Sequence, residues 1–244
     1  MELIKKKLTD EKFSALVEEI DSYFSQSKVV LQDDRNTIKE VRFNDKVFVV
    51  KSYKAPNFFN SFVYTYLKKS KAWRAYEYGL KIAKFTPKVI ARIEYFQPLL
   101  KKSYLICEKF DVDFNMQTPL FKSHPDKDNI LKQFAEFVFN LHKKNIIHHD
   151  LSPGNVLIKS TKQGYQFQII DINRMTFKVL SSKDRAKNFS KLWAKNEDLL
   201  TILKAYAKVA NLDKNFINLG LFYNQRNKDK KNRKLKIKKT LGLC

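Results

Sequence analysis

The spacing of apolar and polar positions changes along the chain. Residues 11–24 place Phe13, Leu16, Val17 and Ile20 at helical spacing and read as a short helix. The period then falls to two. Residues 28–31, 37–43 and 46–53 are rich in Val, Ile and Phe and predict three strands, joined by the turn-rich stretch 32–36 and the tight Asn44-Asp45 pair. Helical spacing returns over 68–84, where Trp73, Tyr76, Leu80 and Ala83 share a face and Thr86-Pro87 ends the segment. Residues 88–96 and 102–110 predict two further strands, so the first 110 residues read as a five-stranded antiparallel sheet with one inserted helix.

The second half is mainly helical. Residues 126–144 carry Ile130, Leu131, Phe134, Phe137, Val138 and Leu141 on one stripe, with Asp126 and Asp128 at the start and Lys143 and Lys144 at the end, where the helix dipole favours each sign. A polar loop at 148–155 leads into a hairpin of strands 156–159 and 165–170, and residues 182–224 predict two or three helices. The expected fold class is α+β: a β-rich part over 1–110, a mainly helical part over 111–225, and a basic tail over 226–244.

Composition narrows the class. Hydrophobic residues at 43% and aromatics at 14% exclude a disordered chain. Two cysteines exclude a disulfide framework and a four-thiolate zinc site, and predict a reducing compartment. The 48 Lys+Arg against 25 Asp+Glu give a formal net charge of +23, which calls for an anionic partner: nucleic acid, an anionic membrane or a phosphorylated substrate. Part of that charge is the run from Arg226 to Lys239, expected as a solvated, partly disordered tail. No apolar run approaches the ~18 residues of a membrane span, and no apolar segment follows the first lysines, so neither a span nor a signal peptide is expected.

The candidate chemistry lies in His148-His149-Asp150-Leu151-Ser152-Pro153-Gly154-Asn155 and in Gln168-Ile169-Ile170-Asp171. Asn155 and Asp171 supply amide and carboxylate oxygens of the kind Mg²⁺ prefers, and Asp150 is a separate carboxylate able to orient a hydroxyl and accept its proton. Upstream, Val47-Phe48-Val49-Val50-Lys51 ends an apolar strand on a lysine, with Glu77 on the following helix as its candidate partner. Each residue also has an ordinary structural reading: Lys51 as a strand-end surface lysine, Glu77 in an i,i+4 pair with Lys81, His148 as a hydrogen-bonded core histidine. Their joint order, a lysine in a β-rich part followed by HxDxxxxN and a later Asp, matches the needs of phosphoryl transfer.

These segments, with Ile170-Asp171-Ile172-Asn173-Arg174-Met175, resemble the protein-kinase-like superfamily and, within it, the lipopolysaccharide-core kinases that phosphorylate Kdo or heptose sugars. The resemblance covers roughly residues 28–195. It implies a bilobal kinase-like fold and an ATP- and Mg²⁺-dependent transfer to a sugar hydroxyl. It also implies a peripheral enzyme at the cytoplasmic face of a bacterial inner membrane. By it, Lys51 binds ATP phosphates and Glu77 holds Lys51. Asp150 is the catalytic base, His148 braces the loop, and Asn155 and Asp171 bind metal. Residues 104–111 form the hinge strand, with Glu108 and Phe110 offering backbone contacts to adenine. The chain departs from protein kinases in three ways: no glycine precedes Gly79, so the turn 32–36, with Arg35 and Asn36, has to cover the phosphates; the metal motif reads Asp-Ile-Asn; and no Ala-Pro-Glu follows. RIO-type, aminoglycoside-kinase-like and choline-kinase-like enzymes share a similar loop, so a protein or small-molecule acceptor is the alternative. A non-catalytic nucleic-acid-binding or scaffold protein is the third reading, supported by the basic run.

Overall fold

The computed structural model describes residues 2–34 and 36–240. The chain divides into two compact units: residues up to Asp111 together with Asp171–Asn173, and Val112–Ile170 together with the chain from Arg174 onward.

The first unit is built on one antiparallel sheet. Its strands are β1 (Leu3–Leu8), β2 (Val30–Asp33), β3 (Asn36–Phe43), β4 (Lys46–Tyr53), β5 (Val89–Phe96) and β6 (Leu100–Glu108), arranged in the order β1-β5-β6-β4-β3-β2. The sheet therefore has six strands, not the five predicted. The added strand is β1, whose residues are almost all exposed. It is held by backbone pairing to β5, from Leu3 opposite Phe96 to Leu8 opposite Ala91, so no apolar alternation marks it in the sequence.

Four helices complete the unit: α1 (Ser14–Glu18), α2 (Ile20–Gln26), α3 (Phe58–Phe62) and α4 (Lys71–Lys81), with α3 running directly into a π-helical turn over Val63–Leu67. Phe13, Leu16, Val17 and Ile20 are buried against Phe48, Val50, Ile90, Ile93 and Ile106, with the Phe13 and Phe48 rings edge-on at 5.6 Å. Alternation along β4 puts Phe48 and Val50 on that core face and turns Lys51 and Tyr53 to the other. Helix α4 buries Ala72, Ala75, Tyr76 and Gly79, while Leu80 is exposed. The face is thus rotated from the predicted one of Trp73, Tyr76, Leu80 and Ala83.

The second unit holds β7 (Phe114–Asn115), α5 (Gln117–Phe121), α6 (Lys127–Lys143), β8 (Ile146–His148), β9 (Val156–Thr161), β10 (Gly164–Ile169), β11 (Met175–Phe177), α7 (Ser182–Phe189), α8 (Asn196–Ala210) and α9 (Lys214–Thr240). Strands order as β10-β9-β7, and β11 pairs with β8. Helix α6 presents Ile130, Leu131, Phe134, Val138 and Leu141 to the interior, as its stripe predicts. The basic run is not an unstructured tail among the described residues: α9 carries it as helix to Thr240. Asn224, fully buried, donates to the Ala194 carbonyl at 3.2 Å, and Asn227 donates to the Ser190 carbonyl at 2.8 Å.

Candidate active site

In the second unit, β8 delivers His148 into a loop whose backbone is pinned at several points. The Asp150 N–H donates to His148 Nδ1 at 3.0 Å, which makes Nδ1 the acceptor and leaves the proton on Nε2. Nε2 then donates to the Ile170 carbonyl at 3.0 Å. Asn155 Nδ2 donates to the Asp150 carbonyl at 2.9 Å, and the Ile170 N–H donates to the Asn155 carbonyl at 3.0 Å. The 3₁₀ turn Pro153–Asn155 gives the loop its return direction. None of these bonds uses the Asp150 carboxylate, whose side chain is 40% exposed, with Arg174 Nη1 at 3.7 Å. The Asn155 amide, oriented by its donated bond, has Oδ1 left as an acceptor.

A buried chain of side chains supports this loop. Asn188 Nδ2 donates to the His148 carbonyl at 2.8 Å, His142 Nε2 meets Asn188 Oδ1 at 3.1 Å, and the Tyr206 hydroxyl meets His142 Nδ1 at 2.9 Å. An Asn oxygen can only accept, so His142 Nε2 carries its proton and the tyrosine hydroxyl donates. Burial lowers the His142 imidazole to about 4, which keeps it neutral. Sequence reading missed this chain. His142 lies on the stripe side of α6, but its partners come from α7 and α8, far along the chain.

In the first unit, Lys51 lies in the interior strand β4, opposite Ile38 on one side and Leu105 on the other. Its ammonium meets Asp171 Oδ1 at 2.8 Å and sits 5.3 Å from the Tyr53 ring. Asp171 adopts a left-handed backbone, φ 58°, a conformation that Asp tolerates better than most residues. Asn173 Nδ2 donates to the same Oδ1 at 2.8 Å. The third residue of the Asp-Ile-Asn motif therefore steadies the carboxylate of the first. Burial, and then the Asp171 charge, push the Tyr53 hydroxyl up, so it stays protonated. Burial likewise raises the Cys107 thiol to about 12, which removes it as a nucleophile.

Residues 73–212 match the lipopolysaccharide kinase (Kdo/WaaP) family. The chain belongs to that family. The matched span carries the loop 148–155 and Asp171, and begins after Lys51. Among solved structures, WaaP in complex with acyl carrier protein is similar, with a TM-score of 0.61, 12% sequence identity, and coverage of 92% of this chain and 98% of that one. At that identity the likeness is one of fold, and it agrees with the α+β, kinase-like class. No curated protein sequence matches the chain.

The candidate residues are divided between the two units. Lys51, Asp171 and Asn173 are brought together in the first unit, and His148, Asp150 and Asn155 in the second. Glu77 is not joined to Lys51: among the described residues its ion pair is with Lys7 at 3.9 Å. The rotation of α4 accounts for this, because Lys7 lies on the outer strand β1 while Lys51 is in the sheet interior. The tip of the β2–β3 hairpin is acidic. Asp33 accepts from the Thr37 hydroxyl at 2.7 Å, Asp34 from Gln32 at 3.2 Å, and Asn36 Oδ1 from the Lys54 N–H at 3.4 Å. Arg35 lies outside the described residues. Glu108 ends β6 with its N–H bonded to the Lys88 carbonyl at 2.9 Å and its carboxylate 3.1 Å from Lys88 Nζ, and Phe110 follows, half-buried. Among the described residues no group of three or more His, Cys, Asp and Glu could hold a metal ion.

Proposed function

We propose that this member of the family is a peripheral kinase at the cytoplasmic face of an inner membrane, transferring phosphate from ATP to a sugar hydroxyl, Kdo or heptose, of the lipopolysaccharide inner core. The observation that carries the reading is the loop 148–155, pinned through its backbone while the Asp150 carboxylate is left accessible. In this reading Asp150 orients the acceptor hydroxyl and takes its proton. Lys51 meets the phosphates, with Asn36 and the hinge residues Glu108 and Phe110 contributing to nucleotide binding. Asn155 Oδ1 and the Asp171 carboxylate are the ligands for Mg²⁺. That donor set fits the ion: it is all oxygen, and Mg²⁺ needs only one or two protein ligands beside phosphates and water. When bound, Mg-ATP supplies the phosphoryl group and the charge neutralisation around it. The Lys51–Asp171 ion pair at 2.8 Å supports this reading, since it keeps the ammonium beside the carboxylate assigned to the metal.

The charge around the loop favours an acidic acceptor. Burial first, and then the nearby Lys191, Lys187, Arg174 and Lys178, lower the His149 imidazole. These cations sit close to the residue beside Asp150, where a sugar carrying a carboxylate or phosphate would be held.

Purified protein with Mg-ATP and Kdo-lipid A is expected to give a lipid heavier by one phosphate. Asp150→Asn should lower that rate by about 10²–10⁴-fold, the usual contribution of a positioned base. Glu77→Gln should stay within about twofold of wild type, since its long, 3.9 Å pair with the exposed Lys7 contributes little. No transfer to any core glycolipid would overturn the reading; transfer to a protein or a small alcohol would select the alternative acceptors.

A further inference from the structure

The segment from Asn57 to Leu67 is amphipathic in the opposite sense to a packed helix. Its polar side chains bond to the protein. Ser61 Oγ donates to the Leu100 carbonyl at 2.9 Å, Thr65 Oγ1 accepts from the Leu100 N–H at 3.0 Å, and Asn57 caps α3 by accepting from the Asn60 N–H at 3.0 Å. Its large apolar side chains point outward: Phe58 is 81% exposed, Phe59 72%, Leu67 70% and Tyr66 63%, with Phe62 also exposed. Phe62 and Tyr66 pack on each other, ring centroids 5.0 Å apart. Scattered exposed apolar residues are ordinary, but five together on one anchored turn of chain are not.

The surroundings are basic. Lys54, Lys68, Lys69 and Lys71 flank the segment in sequence. A cavity of about 230 Å³ beside it is lined by Asn60 and Tyr64 from the segment and by Lys54, Lys71 and Lys102. Lys102 is paired with Asp21, whereas Lys54 and Lys71 have no ion-pair partner among the described residues. An aromatic crest beside unpaired lysines, on a chain of net charge +23, is complementary to one kind of surface: acyl chains beneath anionic headgroups.

We propose that residues 57–67 are a membrane-insertion element, with Phe58, Phe59, Phe62, Tyr66 and Leu67 entering an anionic phospholipid bilayer and Lys54 and Lys71 seating lipid phosphate in the adjoining cavity. The proposal deepens the reading of the chain as a peripheral enzyme of a membrane glycolipid and rests on it for its purpose. Its test uses neither ATP nor acceptor, so the two can fail separately.

The full chain is sedimented with phosphatidylcholine vesicles, with and without phosphatidylglycerol. Binding is expected only where the anionic lipid is present. The triple change Phe58→Ser, Phe59→Ser, Phe62→Ser should lower partitioning at least about tenfold, from the apolar area withdrawn. Lys54→Gln with Lys71→Gln should lower it by about tenfold or more, since each change removes one cation facing the anionic surface. Val179→Ser, which removes an apolar side chain 84% exposed on the other unit, should leave it unchanged. As a second readout, the added fluorescence of Phe59→Trp should be quenched by brominated acyl chains, which a purely electrostatic contact would not produce. The proposal is overturned if the triple variant binds like wild type or if a Trp at position 59 stays unquenched. It is equally overturned if the chain ignores anionic vesicles and the same crest binds an acidic protein instead.

Discussion

Burial lowers the His142 imidazole to about 4, against an ordinary value near 6.5, and that difference has a sign. Between those values the unfolded chain binds a proton that the folded chain refuses. Stability from this residue is complete above about pH 6.5 and is lost as pH falls toward 4, by up to about 3 kcal/mol. Denaturant midpoints for wild type should fall over pH 6.5–4.5, and His142→Gln should start lower but decline less steeply over the same range. Because Asn188 links His142 to the His148 carbonyl, the same acidification is expected to loosen the loop that carries Asp150. Much of the candidate site is legible from residue types alone. Lys51, His148, Asp150, Asn155 and Asp171 occur in an order that few structural roles require. The bracing partners are not legible, since Tyr206, Asn188 and Asn173 are ordinary polar residues until the fold brings them to His142, His148 and Asp171.

Helix α4 carries the clearest gap between pattern and packing. The face of Ala72, Ala75, Tyr76 and Gly79 is buried in place of the one the spacing predicts, because its small residues let the helix approach the sheet closely. A Cβ on Gly79 would lie 2.4 Å from Val89 Cγ1, and the β-branched valine has little rotamer freedom with which to retreat. Gly79→Ala should therefore destabilise by about 1–3 kcal/mol despite its higher helix propensity, read as a lower thermal midpoint. Val89→Ala in the same background should recover part of the loss. This close packing sets the rotation of α4 and sends Glu77 toward Lys7, a pairing that spacing within the helix could not decide. Strand β1 escaped notice because it contributes backbone hydrogen bonds to an edge and buries almost nothing. The helical form of segment 57–67 depends on the Asn57 cap and the Ser61 and Thr65 bonds to Leu100, contacts that spacing alone does not reveal.

For the whole molecule, the charge is distributed between structural and free positions. On α9, Asn227 bonds to Ser190 and Lys231 lies 4.6 Å from the Trp193 ring, while Lys234 and Lys236 are exposed. Removing residues beyond Asn232 is expected to shift the thermal midpoint by no more than about 2 °C while weakening binding to anionic vesicles, since those lysines supply long-range attraction and little packing. Removal from Asn215 onward should unfold the second unit, because it takes away Phe216 and its stacked contact with Tyr206 at 5.1 Å. The composition of the first unit also sets an order of events during synthesis. Leu3 can pair only once Phe96 exists, and Lys51 gains its carboxylate only when Asp171 has been added. During synthesis β1 therefore waits for β5 to emerge, and the β4 ammonium stays uncompensated until Asp171 has been added. Completion of the amino-terminal unit is a late step, timed by residues that belong in sequence to the second half.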